Sequence, residues 1–240
     1  LWRNDKLRTG KRYVAFDRSL PARFGILPRH APGSEIRWFD DDPCYIFHTV
    51  NAYEEGNTVV LEACRIEDPM AKLREPPSDT PRLDFMDLTP FLTRWRFNLD
   101  TGAVTREKLD DAPTEFPTID ANLRGTRARY SYGPRLARTP TLLFEGLLKY
   151  DLERGTSIYA GFGPGQFGSE AHFVPRQGAT DEDDGWLVTF GYDGRDDSSS
   201  VLVLNARDLS TAARVPLPRR VPIGFHATWV PGELIGKGLV

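Results

Sequence analysis

The sequence predicts an all-β fold, and within that class a β-propeller. Short runs rich in β-branched and aromatic residues follow one another and are bounded by turn residues, which is typical of all-β proteins. No stretch keeps the i, i+3, i+4, i+7 apolar spacing of an amphipathic helix without an interrupting Gly or Pro. A strand-and-turn pattern recurs about every 50 residues, the period of a four-stranded propeller blade.

The β-rich runs predict the individual strands. In chain order these are Tyr13–Asp17, Arg23–Pro28, Ile36–Phe39, Tyr45–Tyr53, Thr58–Arg65, Leu92–Asn98, Arg127–Tyr132, Ser157–Gly161, Trp186–Tyr192, Val201–Asn205 and Phe225–Val230. The 21 Gly and 19 Pro are spread along the chain rather than collected into a linker. We therefore expect a single domain over residues 1–240.

The repeat is carried by short segments at strand ends. Phe97–Gly102 and Tyr150–Gly155 share the order aromatic, polar, Leu, acid, polar, Gly, and Leu204–Asp208 is a weaker third copy. Each predicts a strand that ends in a hairpin turn, and in the first two Gly supplies the positive φ. At this period the chain holds about four and a half blades. A β-sandwich whose hairpins are alike by chance stays open on this pattern alone.

Composition excludes several classes of protein. Lys and Arg total 31 against 34 Asp and Glu, and the net charge of −3 argues against a nucleic-acid-binding protein. No apolar run approaches the ~18 residues of a membrane span. Two cysteines, Cys44 and Cys64, exclude a disulfide scaffold or a cysteine-rich metal site and favour a reducing, cytoplasmic setting. The chain opens on Leu1 without a signal-peptide pattern, so we expect it to begin inside a longer product whose N-terminal portion is missing here.

The acidic stretch Glu182–Gly185 resembles a calcium-binding loop. It lacks the alternating-oxygen spacing of an EF-hand, however. We therefore predict a solvated turn that precedes the strand Trp186–Tyr192.

Four histidines are candidate metal ligands. His48 and His226 each follow a Phe in a predicted apolar strand, where an imidazole needs a polar partner. His30 lies in a predicted loop, and His172 shares a strand face with Glu170, with which it could simply pair. No local zinc-binding spacing is present, so the spacing does not choose among the four.

Five motifs, in this order and with these gaps, resemble the carotenoid cleavage oxygenase family, which includes bacterial stilbene-cleaving enzymes and the retinoid isomerase of the eye. The motifs are Phe47–Glu54, Glu115–Asp120, Glu170–Arg176, Glu182–Gly185 and Pro222–Trp229. The resemblance covers essentially the whole chain and corresponds to the C-terminal half of the family. Two positions depart from the family pattern: Ala227 stands where Gly is usual, and Asp120 stands where Asn is common.

The resemblance implies a fold and a metal site. The fold would be a seven-bladed β-propeller, of which this chain holds about four to five blades. One Fe(2+) per full-length chain would be held by four histidines, of which His48 and His226 match the third and fourth. Glu115 and Glu170 match two of three glutamates that lie behind the ligands, for His48 and His226 respectively. The other two histidines and the third glutamate would lie upstream, and no metal role falls to the two remaining histidines of this chain.

The resemblance also implies a reaction. The protein would be a non-haem Fe(II)-dependent dioxygenase that cleaves a conjugated C=C bond of a carotenoid or apocarotenoid with O2, giving carbonyl products. Its partners would be O2 and a lipophilic polyene or stilbene, with peripheral membrane contact through upstream regions. Two alternatives stay open: a stilbene-cleaving (lignostilbene) dioxygenase of the same family, and a non-catalytic binding propeller without a complete metal site.

Overall fold

The structure, a computed structural model, describes residue 8 and residues 16–71, 88–139, 141–224 and 226–232. The strands in these ranges are β1 (Ala22–Ile26), β2 (Arg37–Asp41), β3 (Tyr45–Glu55), β4 (Thr58–Ile66), β5 (Phe91–Asn98), β6 (Val104–Pro113), β7 (Tyr130–Leu136), β8 (Phe144–Asp151), β9 (Thr156–Gly161), β10 (Gln166–Pro175), β11 (Gly185–Asp193), β12 (Ser198–Asn205) and β13 (Thr211–Pro216). Short 3₁₀ turns occupy Gly33–Glu35 and Ala121–Leu123. Over the same ranges no helix has the length and apolar character needed to cross a membrane.

The chain divides into two compact units, and the first comprises Leu1–Pro113 and Arg138–Leu142. It contains the antiparallel pair β1–β2 and the four-stranded antiparallel sheet β3-β4-β5-β6, in which each strand pairs with the next one along the chain. The Trp95 side chain lies fully buried at the centre of this unit, and its Nε1 donates a hydrogen bond to Asp41 Oδ2 at 2.7 Å. An antiparallel meander of four strands is the architecture of a propeller blade.

The second unit comprises Thr114–Ala137 and Leu143–Val240. It contains the antiparallel strands β7-β8-β9 and the four-stranded meander β10-β11-β12-β13, and the pairing of Gly168 with Phe144 links the two sets. They share one apolar core, in which the Tyr132 ring of β7 stacks on the Phe173 ring of β10 at a centroid distance of 5.7 Å.

The predicted repeat corresponds to three hairpins of the same geometry. Asn98, Asp151 and Asn205 each accept, through the backbone carbonyl, a hydrogen bond from the amide four residues later, at 3.0, 2.9 and 2.8 Å. The side-chain oxygen of each also accepts the backbone N–H two residues on. The residue that closes the turn has a positive φ in all three. In the third copy that residue is Leu209, which is 2% exposed, so core packing offsets its conformational cost.

Several strands escaped prediction, and each has a physical reason. β6 and β13 have no buried side chain, so an apolar alternation is absent from them. β8 is buried on both faces, and its apolar run is interrupted by polar residues that the core accommodates. The sequence predicts β10 only in the stretch that carries Glu170 and His172. The strand predicted at Tyr13–Asp17 falls mostly outside the described residues.

The strand predicted at Phe225–Val230 is wrong for the described residues 226–230, which lie outside any sheet. The side chains of these residues are exposed or only partly buried, so the apolar composition of the segment does not reflect a place in a sheet.

The solvated turn predicted at Glu182–Gly185 is a turn, but its carboxylates are engaged rather than simply solvated. Glu182 accepts the backbone N–H groups of Arg129 and Tyr130, at 3.0 and 2.6 Å. Asp183 pairs with the buried Lys149 ammonium at 2.6 Å. The acidic stretch therefore fixes the start of β7 and satisfies a buried cation.

The hairpin geometry predicts a position-specific effect of adding a methyl group. Gly102 has φ 75°, and its substitution Gly102→Ala should lower the free energy of unfolding by about 1 kcal/mol, because an L residue is strained there. Gly33→Ala is the matched control, since its added Cβ would also meet nothing within 4 Å and its φ is not positive. Chemical denaturation measures both, and equal effects of the two substitutions would contradict the assignment of the turn.

Candidate metal centre

The segment that carries His226 leaves β13 and is attached to neighbouring strands by isolated hydrogen bonds. Ser199 on β12 accepts the N–H of Leu217 through its carbonyl and the N–H of Val221 through its hydroxyl, both at 2.9 Å. Further along the described part of the segment, the backbone of Ala227 is hydrogen-bonded to a side chain of β10. His226 is therefore placed by side-chain contacts rather than by a sheet ladder.

Glu170 on β10 provides that attachment. Its Oε2 accepts the backbone N–H of Ala227 at 2.9 Å and lies 3.3 Å from Nδ1 of His226. The Glu170 side chain is 14% exposed, whereas the His226 side chain is 63% exposed. A carboxylate on one imidazole nitrogen orients the ring and increases the basicity of the other nitrogen, as is usual for histidines that bind metals.

His172 lies two residues further along β10, on the same face as Glu170. Its Nε2 contacts the carbonyl oxygen of Ala227 and lies 3.8 Å from Oε2 of Glu170. The predicted sharing of a strand face by Glu170 and His172 thus brings both side chains to the residue that follows His226.

The electrostatics of this group favour an ionised carboxylate. Burial disfavours the charged form of Glu170, but the interactions with His172 and with the Ala227 N–H outweigh burial and hold the pKa of Glu170 below its ordinary value. The interaction with Glu170 in turn raises the pKa of His172, against the opposing effect of burial.

β10 is irregular where it carries Glu170. Its pairing register with β11 shifts between Gly168 and Ala171, which is a β-bulge. Bulges re-aim side chains and are common next to functional sites. The bulge therefore explains how Glu170, a residue of the sheet, directs its carboxylate at a segment outside the sheet.

Glu115 lies in a short segment that follows β6 and crosses β7. Thr118 exchanges two backbone hydrogen bonds with Tyr132, at 2.8 and 2.9 Å, and Thr114 pairs with Arg135. Between these anchors Glu115 is buried, at 5% exposure, and its Oε2 accepts the N–H of Phe116 at 2.6 Å.

Phe116 connects this segment to His226. Its ring meets the His226 ring edge-to-face at a centroid distance of 5.2 Å. Phe116 has φ 49°, a strained conformation for a bulky side chain, and such strain clusters at functional sites. Gly133 of β7 permits the segment that carries Thr114 to lie close to β7, since a Cβ at Gly133 would lie 2.5 Å from Thr114 Oγ1.

His48 belongs to the first unit. It lies in β3 and is half-buried, as predicted for a strand histidine. The pairing of β3 with β4 shifts register between Ile46 and Thr49, so His48 also sits at a bulge. His30 lies in an exposed turn after β1, as predicted.

Of the predicted site residues, the structure brings Glu170 and His226 together. Glu115 directly precedes Phe116, whose ring touches the His226 ring. Sequence reasoning missed Phe116, for which no signal was available, and the contact of His172 with the backbone. The strand periodicity placed His172 on the same face as Glu170 but carried no signal for its contact with Ala227. Among the described residues, no three or more His, Cys, Asp or Glu side chains form a group that could hold a metal ion.

The chain is all-β, contains four-stranded meanders like propeller blades, and carries a histidine that is supported by a carboxylate. Together these features indicate the class of protein. The model of the family described as retinal pigment epithelial membrane protein matches residues 2–231. The chain belongs to this family, that of the carotenoid cleavage oxygenases. The predicted fold class, a partial seven-bladed β-propeller, is confirmed, since the structure resembles those of solved carotenoid oxygenases, which are β-propellers.

Individual relatives agree with the family assignment. A carotenoid cleavage oxygenase of Mycobacterium tuberculosis is 38% identical over 226 residues, which are 90% of this chain and 44% of that protein. A carotenoid 9,10(9',10')-cleavage dioxygenase of Crocus sativus is 38% identical over 247 residues, 95% of this chain and 44% of that protein. The chain therefore spans less than half the length of these relatives.

Solved structures share the fold. A cobalt-substituted apocarotenoid oxygenase of Synechocystis has a TM-score of 0.79 and 28% identity, and the match covers 91% of this chain and 46% of that one. A lignostilbene dioxygenase of Pseudomonas brassicacearum has a TM-score of 0.84 and 24% identity, over 96% of this chain and 51% of that one. The second likeness concerns the fold alone.

The shared carboxylate predicts how one substitution changes a titration. Glu170→Gln removes the negative charge that favours protonated His172, so the pKa of His172 should fall towards its ordinary value. NMR titration of the imidazoles in the metal-free protein measures this. An unchanged pKa of His172 in the Glu170→Gln protein would contradict the described contact.

Proposed function

We propose that the protein is a non-haem Fe(II)-dependent dioxygenase that cleaves a conjugated C=C bond of a carotenoid or apocarotenoid with O2 and releases carbonyl products. The observation that carries the proposal is the 3.3 Å approach of Glu170 Oε2 to His226 Nδ1 in a chain of the carotenoid cleavage oxygenase family. The chain spans less than half of its relatives, so the proposal concerns the full-length protein.

The residues present fit an iron ion. Imidazole nitrogens are ligands that suit Fe(II), and a carboxylate hydrogen-bonded to Nδ1 directs Nε2 of the same ring to a metal. His48 and His226 would hold the ion, together with imidazoles from outside these 240 residues. Neutral ligands leave the charge of a divalent ion uncompensated, and the ionised Glu170 would offset part of it. The Synechocystis relative is cobalt-substituted, which supports a metal site in this protein as well.

When bound, the iron would supply the activation of O2 that an organic double bond lacks. This chain would supply the positioning. Glu170 would keep a proton on Nδ1 of His226, and the Phe116 ring would limit rotation of the imidazole. Glu115, buried beside Phe116, would add negative charge near the same place.

A lipophilic substrate is supported by the surroundings of His226. A cleft beside the imidazole is lined mainly by apolar groups, among them Phe167, Phe190, Pro222 and Ile223. Ligand sites for apolar molecules have such linings. The relatives of highest identity reported above are named for cleaving carotenoids, which favours a carotenoid or apocarotenoid over a stilbene.

The remaining expectations stay predictions. They are the cytoplasmic location, the peripheral membrane contact, the absence of nucleic-acid partners and the single domain over residues 1–240.

The direct test is an assay of the full-length protein with Fe(II), O2 and a panel of carotenoids, apocarotenoids and hydroxystilbenes. We expect a polyene to be cleaved into carbonyl products, and His48→Ala and His226→Ala each to abolish both cleavage and stoichiometric iron, because a lost ligand cannot be replaced from a fixed backbone. Metal analysis and product chromatography provide the readouts.

His30→Ala is the control, since this histidine lies in an exposed turn, and it should keep iron and turnover. Full iron content in either ligand variant would refute the ligand assignment. Cleavage of hydroxystilbenes alone would replace the proposed substrate by the stilbene alternative. A full-length protein that binds no iron and cleaves none of the compounds would favour the non-catalytic propeller.

Glu115 provides a separate prediction. Glu115→Gln keeps the size of the buried side chain but removes its charge, and turnover should fall by roughly 10–100-fold, as is usual when a group behind a metal ligand is changed. Glu35→Gln is the matched control, because Glu35 is exposed in a 3₁₀ turn. Steady-state kinetics distinguish the two, and equal turnover would assign Glu115 a structural role.

A further inference from the structure

We propose that His172 is a positioning residue that, together with Glu170, clamps the backbone of Ala227 and so orients His226. The inference deepens the proposed function and rests on it, since it assigns a role at the same metal centre. The resemblance to the family gave His172 no such role.

The first argument is the backbone of the segment. Residues 226–230 belong to no strand, so Ala227 has no ladder partner in a sheet. In an antiparallel pair, one residue exchanges both its N–H and its C=O with the residue opposite. Here two side chains of β10 take that place: Glu170 accepts the Ala227 N–H, and His172 Nε2 contacts the Ala227 carbonyl oxygen, to which it donates when protonated.

The second argument is the shared carboxylate oxygen. Oε2 of Glu170 lies 2.9 Å from the Ala227 nitrogen, 3.3 Å from His226 Nδ1 and 3.8 Å from His172 Nε2. All three groups therefore meet at one atom. A change at His172 alters the position of that oxygen, and with it the contact that orients the His226 ring.

The third argument distinguishes positioning from ligation. Nε2 of His172 is directed at a backbone carbonyl, so this nitrogen is occupied by the segment it holds. The His172 side chain is 24% exposed against 63% for His226. The sheltered imidazole is thus the one that fixes the backbone, and the open imidazole is the one placed to take a metal.

The test compares His172→Leu and His172→Gln in the full-length protein. Leu removes the donor to the Ala227 carbonyl, whereas the side-chain amide of Gln can donate to the same oxygen. Hydrogen exchange of peptides that contain residues 226–230, in the metal-free protein, reports on the clamp itself. Titration with Co(II) and the visible spectrum of the bound ion report on the geometry of the metal centre.

We expect His172→Leu to accelerate exchange of the Ala227 amide by about 10-fold, which corresponds to one lost hydrogen bond. Its Co(II) affinity should fall about 10–100-fold, with an altered spectrum. His172→Gln should recover most of both properties, and the control His30→Leu should match wild type. A purely structural role would instead impair Leu and Gln alike.

Wild-type exchange and Co(II) affinity in His172→Leu, or a Gln variant as impaired as the Leu variant, would overturn the inference. A wild-type protein that binds neither Fe(II) nor Co(II) would overturn the proposed function instead. In that case faster exchange in His172→Leu would still identify the clamp, and unchanged exchange would overturn the clamp as well.

Discussion

The hydrogen bonds of the Glu170 carboxylate are the interaction on which the site depends. The segment that carries His226 lies outside the sheets, and a short polypeptide without a ladder has many conformations unless side chains restrict it. Glu170 restricts it at the Ala227 amide and restricts the imidazole at Nδ1 with the same oxygen. Burial disfavours the ionised form of the carboxylate, but these polar contacts favour that form more strongly. Loss of the carboxylate would therefore affect the backbone and the ring together.

The regular sheets and the irregular site have different tasks. The meanders β3–β6 and β10–β13 provide buried frames, and some of their departures from regular pairing fall at site residues. Register shifts occur beside His48 in β3 and beside Glu170 in β10. The strained Phe116 is held by pairing on both sides of its segment, at Thr114 and Thr118. Rigid surroundings are what allow such local strain to persist.

The fold class was predictable because its signals are local. The hairpin at Asn98–Gly102 requires a positive φ that Gly provides, and such requirements are visible in a sequence. The equivalent turn at Leu209 was less visible, because there burial of the side chain replaces the conformational freedom of Gly. β8 and β13 lacked the alternation of a half-buried strand, since one is buried on both faces and the other is exposed on both.

The site was predictable only through resemblance to a family. Spacing could not choose among four histidines, because the contacts that distinguish them join residues more than 50 positions apart, such as Glu170 with His226. Strand periodicity correctly placed Glu170 and His172 on one face, but it could not reveal that Ala227 would be their common partner. The prediction that His226 lies in a strand was wrong because an apolar composition does not by itself make a segment pair with a sheet.

Iron K-edge X-ray absorption of the Fe(II)-loaded full-length protein tests the central claim most directly. If Glu170 lies behind His226 rather than on the metal, the spectrum will contain imidazole nitrogens as the only protein ligands, with the multiple scattering typical of histidine rings. A carboxylate oxygen in the coordination shell that disappears in Glu170→Gln would show that Glu170 is itself a ligand, and would contradict the account.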